Sequence, residues 1–529
     1  MTQIPQPNPA SAQDTRTLLS QYVRQFLGVY TRADRTAIPD GYFFNLENMI
    51  PIGDQNMPTV PNISAALHDY AADIIYWSQG VNLNGTEYLV NFSTNGKVFL
   101  YNIQAQTSAQ INPSNLFSGA GSRCAQWSNT TIVLIDSTGY YSYDGTTFTH
   151  ITGTGVPSAG TTIAVYENRV WITVARALLC SGANDFTAPS WQIANGAGSF
   201  SLTDPTLRSA ITQSIVANGY LYLWSTSGIT AVSNVFIPSG ATPPTPSATI
   251  QNLQALIGTD QPASVFPYDR NIMFASRYGI HNLIGVDAPK ISADIDGTWR
   301  YVDFTQPIYG GQCTVEGILC AGFLIKRNAD PIFGSNTIVV LWYSRDETNA
   351  NTGVDQSTDI FWFANFGAIT VLSSGFVNQV PALFAFIGNK LFQLFADTTT
   401  APATAVWSKL YPMEDELARK EVIQAGVYAD FTLLGSSINL FVDTPTASSP
   451  VRIQAGFLSG LWINLSGVTG QWVNGSAALG GWAAPAPALL TGIAPPMFDH
   501  YVGFRLTTVG YEYNLHLLAM DYKLGDRWM

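Results

Sequence analysis

The stretch Ala217 to Asn234, ANGYLYLWSTSGITAVSN, constrains what this chain can fold into more than any other. Asn218-Gly219 is a two-residue hairpin signal, because both positions tolerate φ > 0. Tyr220 to Trp224 follows as an apolar run rich in aromatics, which suits a strand covered on both faces. Ser225 to Gly228 is a second turn and Ile229 to Val232 a further strand, with Ser214 to Val216 a strand ahead of the first turn. Three short antiparallel strands therefore fit into about twenty residues.

Variants of this unit recur. Tyr88–Phe92 and Val98–Tyr101 flank a turn at Ser93–Gly96, and Thr131–Ile135 and Tyr140–Tyr143 flank one at Ser137–Gly139. Arg169–Val174 with Ala177–Cys180 is a copy without the glycine, Asn271–Ala275 with Gly279–Ile284 another, and Asn389–Phe395 begins a late one. The turn glycines Gly96, Gly139, Gly228 and Gly279 are 43, 89 and 51 residues apart, the long gap holding the glycine-free copy. A period of about 40–50 residues made of four short strands is that of β-propeller blades, whose faces are buried only against one another. No WD or kelch signature accompanies the period.

The expected fold is all-β. Residues 1–65 read as an N-terminal arm, a short helix and an irregular segment, 66–400 as a β-propeller of repeated four-stranded blades, and 406–529 as a C-terminal β-sandwich-like domain after a linker at 398–405. The helix is expected from Asp14 or Thr15 onward, because Leu18, Leu19, Tyr22, Val23, Phe26 and Leu27 recur at helical spacing. It either packs on its own domain or docks on a neighbouring subunit. Two stretches interrupt the repeat. One is the Pro/Ser/Thr-rich loop Pro238–Leu256, which leads into a short helical pattern. The other is the polar loop Asp346–Asp359. Loops of this length are either functional or merely solvated.

Only 11% of the 529 residues are charged and the net charge is −12. An ordinary domain carries about 25% charged residues. Gripping DNA by its phosphates calls for a basic balance or stripe, and neither is visible. An acidic surface suits a passage through which DNA slides without sticking. No apolar run approaches the roughly 18 residues of a membrane span. The N-terminus lacks the apolar core of a secretory signal, so no export is expected. Cys124, Cys180, Cys313 and Cys320 match no zinc or redox spacing and are expected as buried free thiols, consistent with a reducing cytoplasm.

No nucleophile elbow, P-loop or HExxH motif is present, and His68, His150, His281, His500 and His516 are scattered. No catalytic residue, metal site or cofactor is expected. The one enzymatic lure is Ser292–Trp299, SADIDGTW, followed by Arg300. It resembles the Asp-box turn of sialidases, with Asp296 where glycine is expected and Gly297 one place late. Asp294, Asp296 and Asp443 lie in no calcium-binding loop pattern. The alternative function is accordingly a propeller that binds or cleaves glycans.

The segment GVYTRADRTAIPDGYFFNLENM, by Gly28, Thr31, Arg32, Asp34, Pro39, Asp40, Gly41, Glu47 and Asn48, resembles the opening of tail proteins of short-tailed bacteriophages. The central stretch Tyr166–Ser233 and the closing LHLLAMDYKLGDRW are similar to the same group, the tail nozzle or tail-hub proteins, including those called packaged-DNA-stabilising proteins. The resemblance implies a structural virion protein without catalytic residues, assembled in the host cytoplasm. It would form a ring, usually of six copies, below the portal and head-to-tail adaptor and beside tail fibre or needle proteins. Such a ring retains the genome and passes the DNA at ejection without specific binding. Ring closure needs heterologous contacts. The candidates are Leu18, Tyr22 and Phe26 on the expected helix, Pro243 in the first loop, and Asp346 and Asp359 bounding the second.

Overall fold

The computed structural model describes residues 16–527 apart from 115, 119–120, 206, 254–255, 349–354, 414–415, 417, 434–436, 454–460, 464–468, 472–487 and 494–497. The first part of the expected N-terminal arm, residues 1–15, and most of residues 454–497 of the C-terminal part lie outside the described residues.

The apolar runs form strands because each blade is covered on both faces. Ile132–Asp136 and Gly139–Tyr143 are buried at every position. Alternate side chains of one strand serve two neighbours. Ile132 and Leu134 pack with Trp77, Val90 and Phe92 of the preceding blade, whereas Val133 and Ile135 pack with Ile163, Val170 and Ile172 of the next. Each such buried aliphatic side chain contributes roughly 1.5–3 kcal/mol. A blade alone would expose one of these faces, so the repeat is stable only as a closed set.

Seven such sheets follow one another among the described residues. Their inner strands are Ile75–Leu83, Arg123–Gln126, Thr162–Tyr166, Gln213–Ala217, Phe266–Tyr268, Tyr309–Val315 and Ile369–Val377, and we number blades 1–7 from them. Each inner strand touches the next, and the seventh touches the first. Blades 1–4 are four-stranded meanders, and blade 5 has three strands. Blade 7 is completed from outside the repeat: its outer strand is His68–Asp69, paired with Lys390–Gln393. This closure is fastened further by Asn91 Nδ2 of blade 1, which donates to Tyr70 Oη at 2.7 Å. The expected unit around Asn218-Gly219 is blade 4. Both turn residues have positive φ, 50° and 78°, and Tyr222 and Trp224 pack against Phe274 and Leu283 of blade 5.

The C-terminal part is sandwich-like. One layer orders Leu18–Val23, Glu512–Arg527, Ala418–Leu433 and Ala488–Ile493. Through Ser448–Ile453 the sheet passes into Ser437–Asp443, Val502–Val509, Thr404–Tyr411 and Phe43–Glu47. Val427, Leu515 and Met520 of the first layer share one core with Leu440, Phe504 and Leu506 of the second. That core is continuous with blades 5, 6, 7 and 1. Phe43–Glu47 also meets the last strand of blade 6, Asp355–Ala364, in parallel at Glu47 and Phe363.

Three local expectations are corrected. The helix expected before Leu27 is instead the strand Leu18–Val23, paired antiparallel with Leu518–Lys523. Leu18 to Tyr22 alternate between exposed and half-buried and Val23 is buried; the last strand offers an edge, and ladder pairing there outweighs a short helical pattern. The helical pattern after Pro238 is the strand Ser247–Asn252, which completes blade 4 against Ile229–Phe236. The Asp346–Asp359 loop is a hairpin that prolongs Gly334–Thr348 and Asp355–Ala364, with Asp346 opposite Ser357 and Ser344 opposite Asp359. Its tip lies outside the described residues.

His516 on the last strand gives the sandwich a pH signature. Burial disfavours its charged form, but Gln55 O, on Nδ1 at 2.6 Å, and Asp430 Oδ2, on Nε2 at 2.8 Å, outweigh it and raise the pKa. A raised folded pKa stabilises fully below the unfolded value and ceases to do so as pH rises through the folded one. Replacing His516 with Asn is therefore expected to destabilise more at pH 5.5 than at pH 8.5. The difference should be below about 1 kcal/mol after solvent screening, read from denaturant midpoints at the two pH values.

Candidate functional site

The residues Gly28 to Asn48 run along the seam between propeller and sandwich. Gly28 passes so close to blade 6 that a Cβ would sit 2.6 Å from Phe361 O. Val29 N donates to that same carbonyl. Thr31 and Arg32 donate their backbone N–H groups to Asp294 O, at 2.8 and 3.1 Å. Thr31 Oγ1 accepts from Thr298 N at 3.0 Å. At Gly297 a side chain would collide with the Thr31 carbonyl. The Gly28–Asn48 segment and the stretch SADIDGTW thus meet face to face. The latter folds as a 3-10 turn, Ser292–Ile295, and one α turn, Asp296–Trp299, on the connection from blade 5 to blade 6.

Arg35 bridges to the sandwich. Its Nε donates to Ser408 O at 2.7 Å, Nη1 to Asp443 Oδ2 at 2.8 Å and Nη2 to Phe504 O at 2.9 Å. Asp40 pairs with Lys409 at 2.7 Å. Asp34 closes its own turn by accepting from Thr36 N and Oγ1. Asn48 is buried with φ of 59°, a conformation that asparagine tolerates better than most residues. Its Nδ2 donates to Asn365 O at 3.1 Å and Ala403 O at 2.7 Å, and its Oδ1 accepts from Asn365 N at 2.9 Å. One side chain thereby ties the N-terminal segment to the end of blade 6 and to the start of the sandwich.

A cavity of about 560 Å³ opens along this seam, between the Thr31–Thr36 turn, Arg300 and Trp407. Close by, Asp294 and Asp359 are half-buried. Burial raises the pKa of Asp294, and the charge of Asp359 raises it further. Burial likewise raises Asp359, although its Oδ1 accepts from Trp342 Nε1 at 3.0 Å. A second cavity of about 540 Å³ is the propeller's own channel, lined by the inner strands of the blades.

The expected contact residues are not gathered at one place. Leu18 and Tyr22 are exposed, 52% and 47%, on the strand that ends the sandwich sheet among the described residues. Pro243 is exposed in the loop between the outer two strands of blade 4. Phe26 is corrected from a surface to a core residue: it is fully buried against Phe43, with ring centroids 5.7 Å apart. Asp359 is corrected from a loop residue to a half-buried strand residue. The side chain of Asp346 lies outside the described ones. The four cysteines are free and buried. Burial lifts their thiols, Cys180 to about 11 and Cys124 to about 12, which removes thiolate reactivity near neutral pH. Among the described residues no helix is long and apolar enough to cross a membrane.

Sequence reasoning missed Arg35 and Arg123, the latter on the inner strand of blade 2. Arg35 stood within the TRADR string, but its partners lie hundreds of residues away. Arg123 had no signal, since its four-residue strand Arg123–Gln126 is half polar.

No family model and no curated protein matches this chain. Among solved structures it is similar to the crystal structure of RRP9 WD40 repeats, at 9% identity and a TM-score of 0.35, over 64% of this chain and 99% of that one. It is similar also to the structure of U3-55K, at 9% identity and 0.35, over 63% and 98%.

Asn48→Asp places a carboxylate where an amide donates to two carbonyls. It is expected to destabilise the protein by about 3 kcal/mol, the cost of unmade buried hydrogen bonds with added repulsion. Urea unfolding followed by tryptophan fluorescence measures this, and the surface variant Asp34→Asn should cost less than about 1 kcal/mol.

Proposed function

We propose that this chain is the ring-forming subunit of a tail nozzle of a short-tailed bacteriophage: a structural virion protein, not an enzyme. The ring would surround the channel through which the genome is retained and then ejected. The observation that carries this reading is the seam. Gly28, Thr31, Asp40 and Asn48, residues that bear the resemblance, hold propeller and sandwich together as one body. A wall that keeps a channel open needs subunits whose halves do not shift.

The strand Leu18–Val23, an edge among the described residues, with Leu18 and Tyr22 exposed, supplies an adhesive side for a heterologous ring contact. Pro243 supplies a second exposed point. Net charge of −12 per copy, multiplied around a hexamer, repels phosphate and suits passage of DNA without specific binding. The head-to-tail adaptor and the fibre or needle proteins are the neighbours, and assembly takes place in the host cytoplasm.

Light scattering and negative-stain imaging of the purified chain, alone and with its adaptor, should find six-membered rings. The double change Leu18→Asp, Tyr22→Asp should weaken ring formation at least about tenfold, the equivalent of 1.4 kcal/mol, with an unchanged melting temperature for the monomer. A chain that stays monomeric in both settings and cleaves a glycan, with the activity lost on changing Asp294 and Arg300, would instead be the glycan-active propeller.

A further inference from the structure

The cavity at the seam is lined by two unlike kinds of surface. The first is aromatic. Phe44, Phe333 and Trp407 line it as one cluster, with ring centroids 5.2 to 6.4 Å apart. Phe333 and Trp407 are half-buried, and Ile332 beside them is exposed. Arg35 and Arg505 brace the Trp407 ring, with Cζ 5.8 and 5.4 Å from its centroid. An aromatic cluster left partly open to a cavity is a surface that the apolar face of a ligand can cover.

The second kind is polar and reaches solvent. Arg32, Asp34 and Arg300 line the cavity and are exposed. Among the described residues neither arginine side chain has a hydrogen bond or an ion pair; Arg300 rests over the Tyr301 ring at 5.4 Å, and the charge of Arg32 acts on Asp294. Asp34 engages only Oδ1, which accepts from Thr36. The other charges of the lining are already engaged. Arg35 is held by Asp443 and two carbonyls, and Asp330 accepts from Ile332 N and Phe333 N beside Arg327. The accessible groups are therefore of both signs and offer donors and an acceptor together. An anion there meets Asp34, and a cation meets two guanidinium groups. A neutral ligand rich in hydroxyls suits both, since each hydroxyl donates and accepts. Adjacent hydroxyls on a ring also match the paired donors of a guanidinium and the paired oxygens of a carboxylate.

We propose that the seam cavity binds one pyranose unit of a neutral saccharide, its C–H face against Phe333 and Trp407 and its hydroxyls held by Arg32, Asp34 and Arg300. A pyranose carries hydroxyls along its rim and C–H groups on its face, the same division that the lining shows. The cavity's volume, about 560 Å³, falls in the range of small-molecule sites. Binding breaks no bond in the sugar, and the site does not depend on the ring reading.

The test uses the full chain with methyl β-D-glucoside, methyl β-D-galactoside and methyl α-D-mannoside as probes, and with sorbitol as an open-chain polyol. At least one glycoside is expected to show saturable saturation-transfer NMR signals from its ring protons and to change tryptophan fluorescence. Sorbitol, which has the hydroxyls without the ring face, should do neither. Asp34→Ala and Arg300→Ala alter exposed side chains, and each should weaken binding at least about tenfold, the equivalent of 1.4 kcal/mol. Phe333→Leu keeps an apolar side chain without the ring and should weaken binding as much; if it fails to fold, the two surface variants decide. No saturable response to any of the glycosides, an equal response to sorbitol, or native affinity in a folded variant would overturn the assignment.

Discussion

The amide of Asn48 is the point on which the two halves of this molecule depend. It is buried, it sits in a left-handed backbone conformation, and it joins backbone groups of residues 365 and 403 to a segment more than three hundred residues earlier. Backbone N–H and C=O groups at a crossing of two domains have no ladder to join, and leaving them buried without partners costs about 1–3 kcal/mol each. A primary amide can satisfy both kinds at once. Around it the N-terminal segment acts as packing between domains: Phe43–Glu47 lies as a strand between Thr404–Tyr411 and blade 6, and Arg35 spans three acceptors of the sandwich. Further along, the same segment supplies the strand that closes blade 7.

Low charge follows from this architecture. A blade strand with both faces covered has few positions where a charged side chain reaches water, and an unpaired buried charge is penalised heavily. Some charges that do enter the interior are paired, as Arg35 is with Asp443 and Lys409 with the exposed Asp40, and others are held by uncharged groups, as Arg169 is by the carbonyls of Ser181 and Gly196.

The blades were the legible part. Arg169–Val174, Ala177–Cys180 and Tyr220–Trp224 have the bounds that the residue pattern indicated, because local hairpins are specified by nearby turn residues and by runs that only a covered strand explains. What was illegible depends on distant partners. Leu18–Val23 is a strand because residues about five hundred positions later offer an edge. The 346–359 stretch is polar like a loop, yet it pairs with itself as a hairpin. The expected contact residues divide the same way. Leu18 and Tyr22 reach the surface, while Phe26 turns inward once the segment leaves the edge strand. The blade number was also beyond the sequence, since blade 5 lacks a strand and blade 7 takes its last one from the N-terminal side.

The spaced residues of Gly28–Asn48 also acquire a physical meaning. Glycine stands at position 28 because blade 6 leaves no room for a side chain there. Threonine at 31 has a hydroxyl that meets a backbone N–H of the turn before blade 6. Aspartate at 34 folds back on its own turn. Asparagine at 48 serves the crossing. Gly28, Thr31 and Asn48 answer requirements of joining the two domains, and Asp34 shapes the turn between them. A loose string of such residues therefore reports how propeller and sandwich are coupled. Any chain that couples them in this way would be driven toward the same residue types, whatever loops it carries elsewhere.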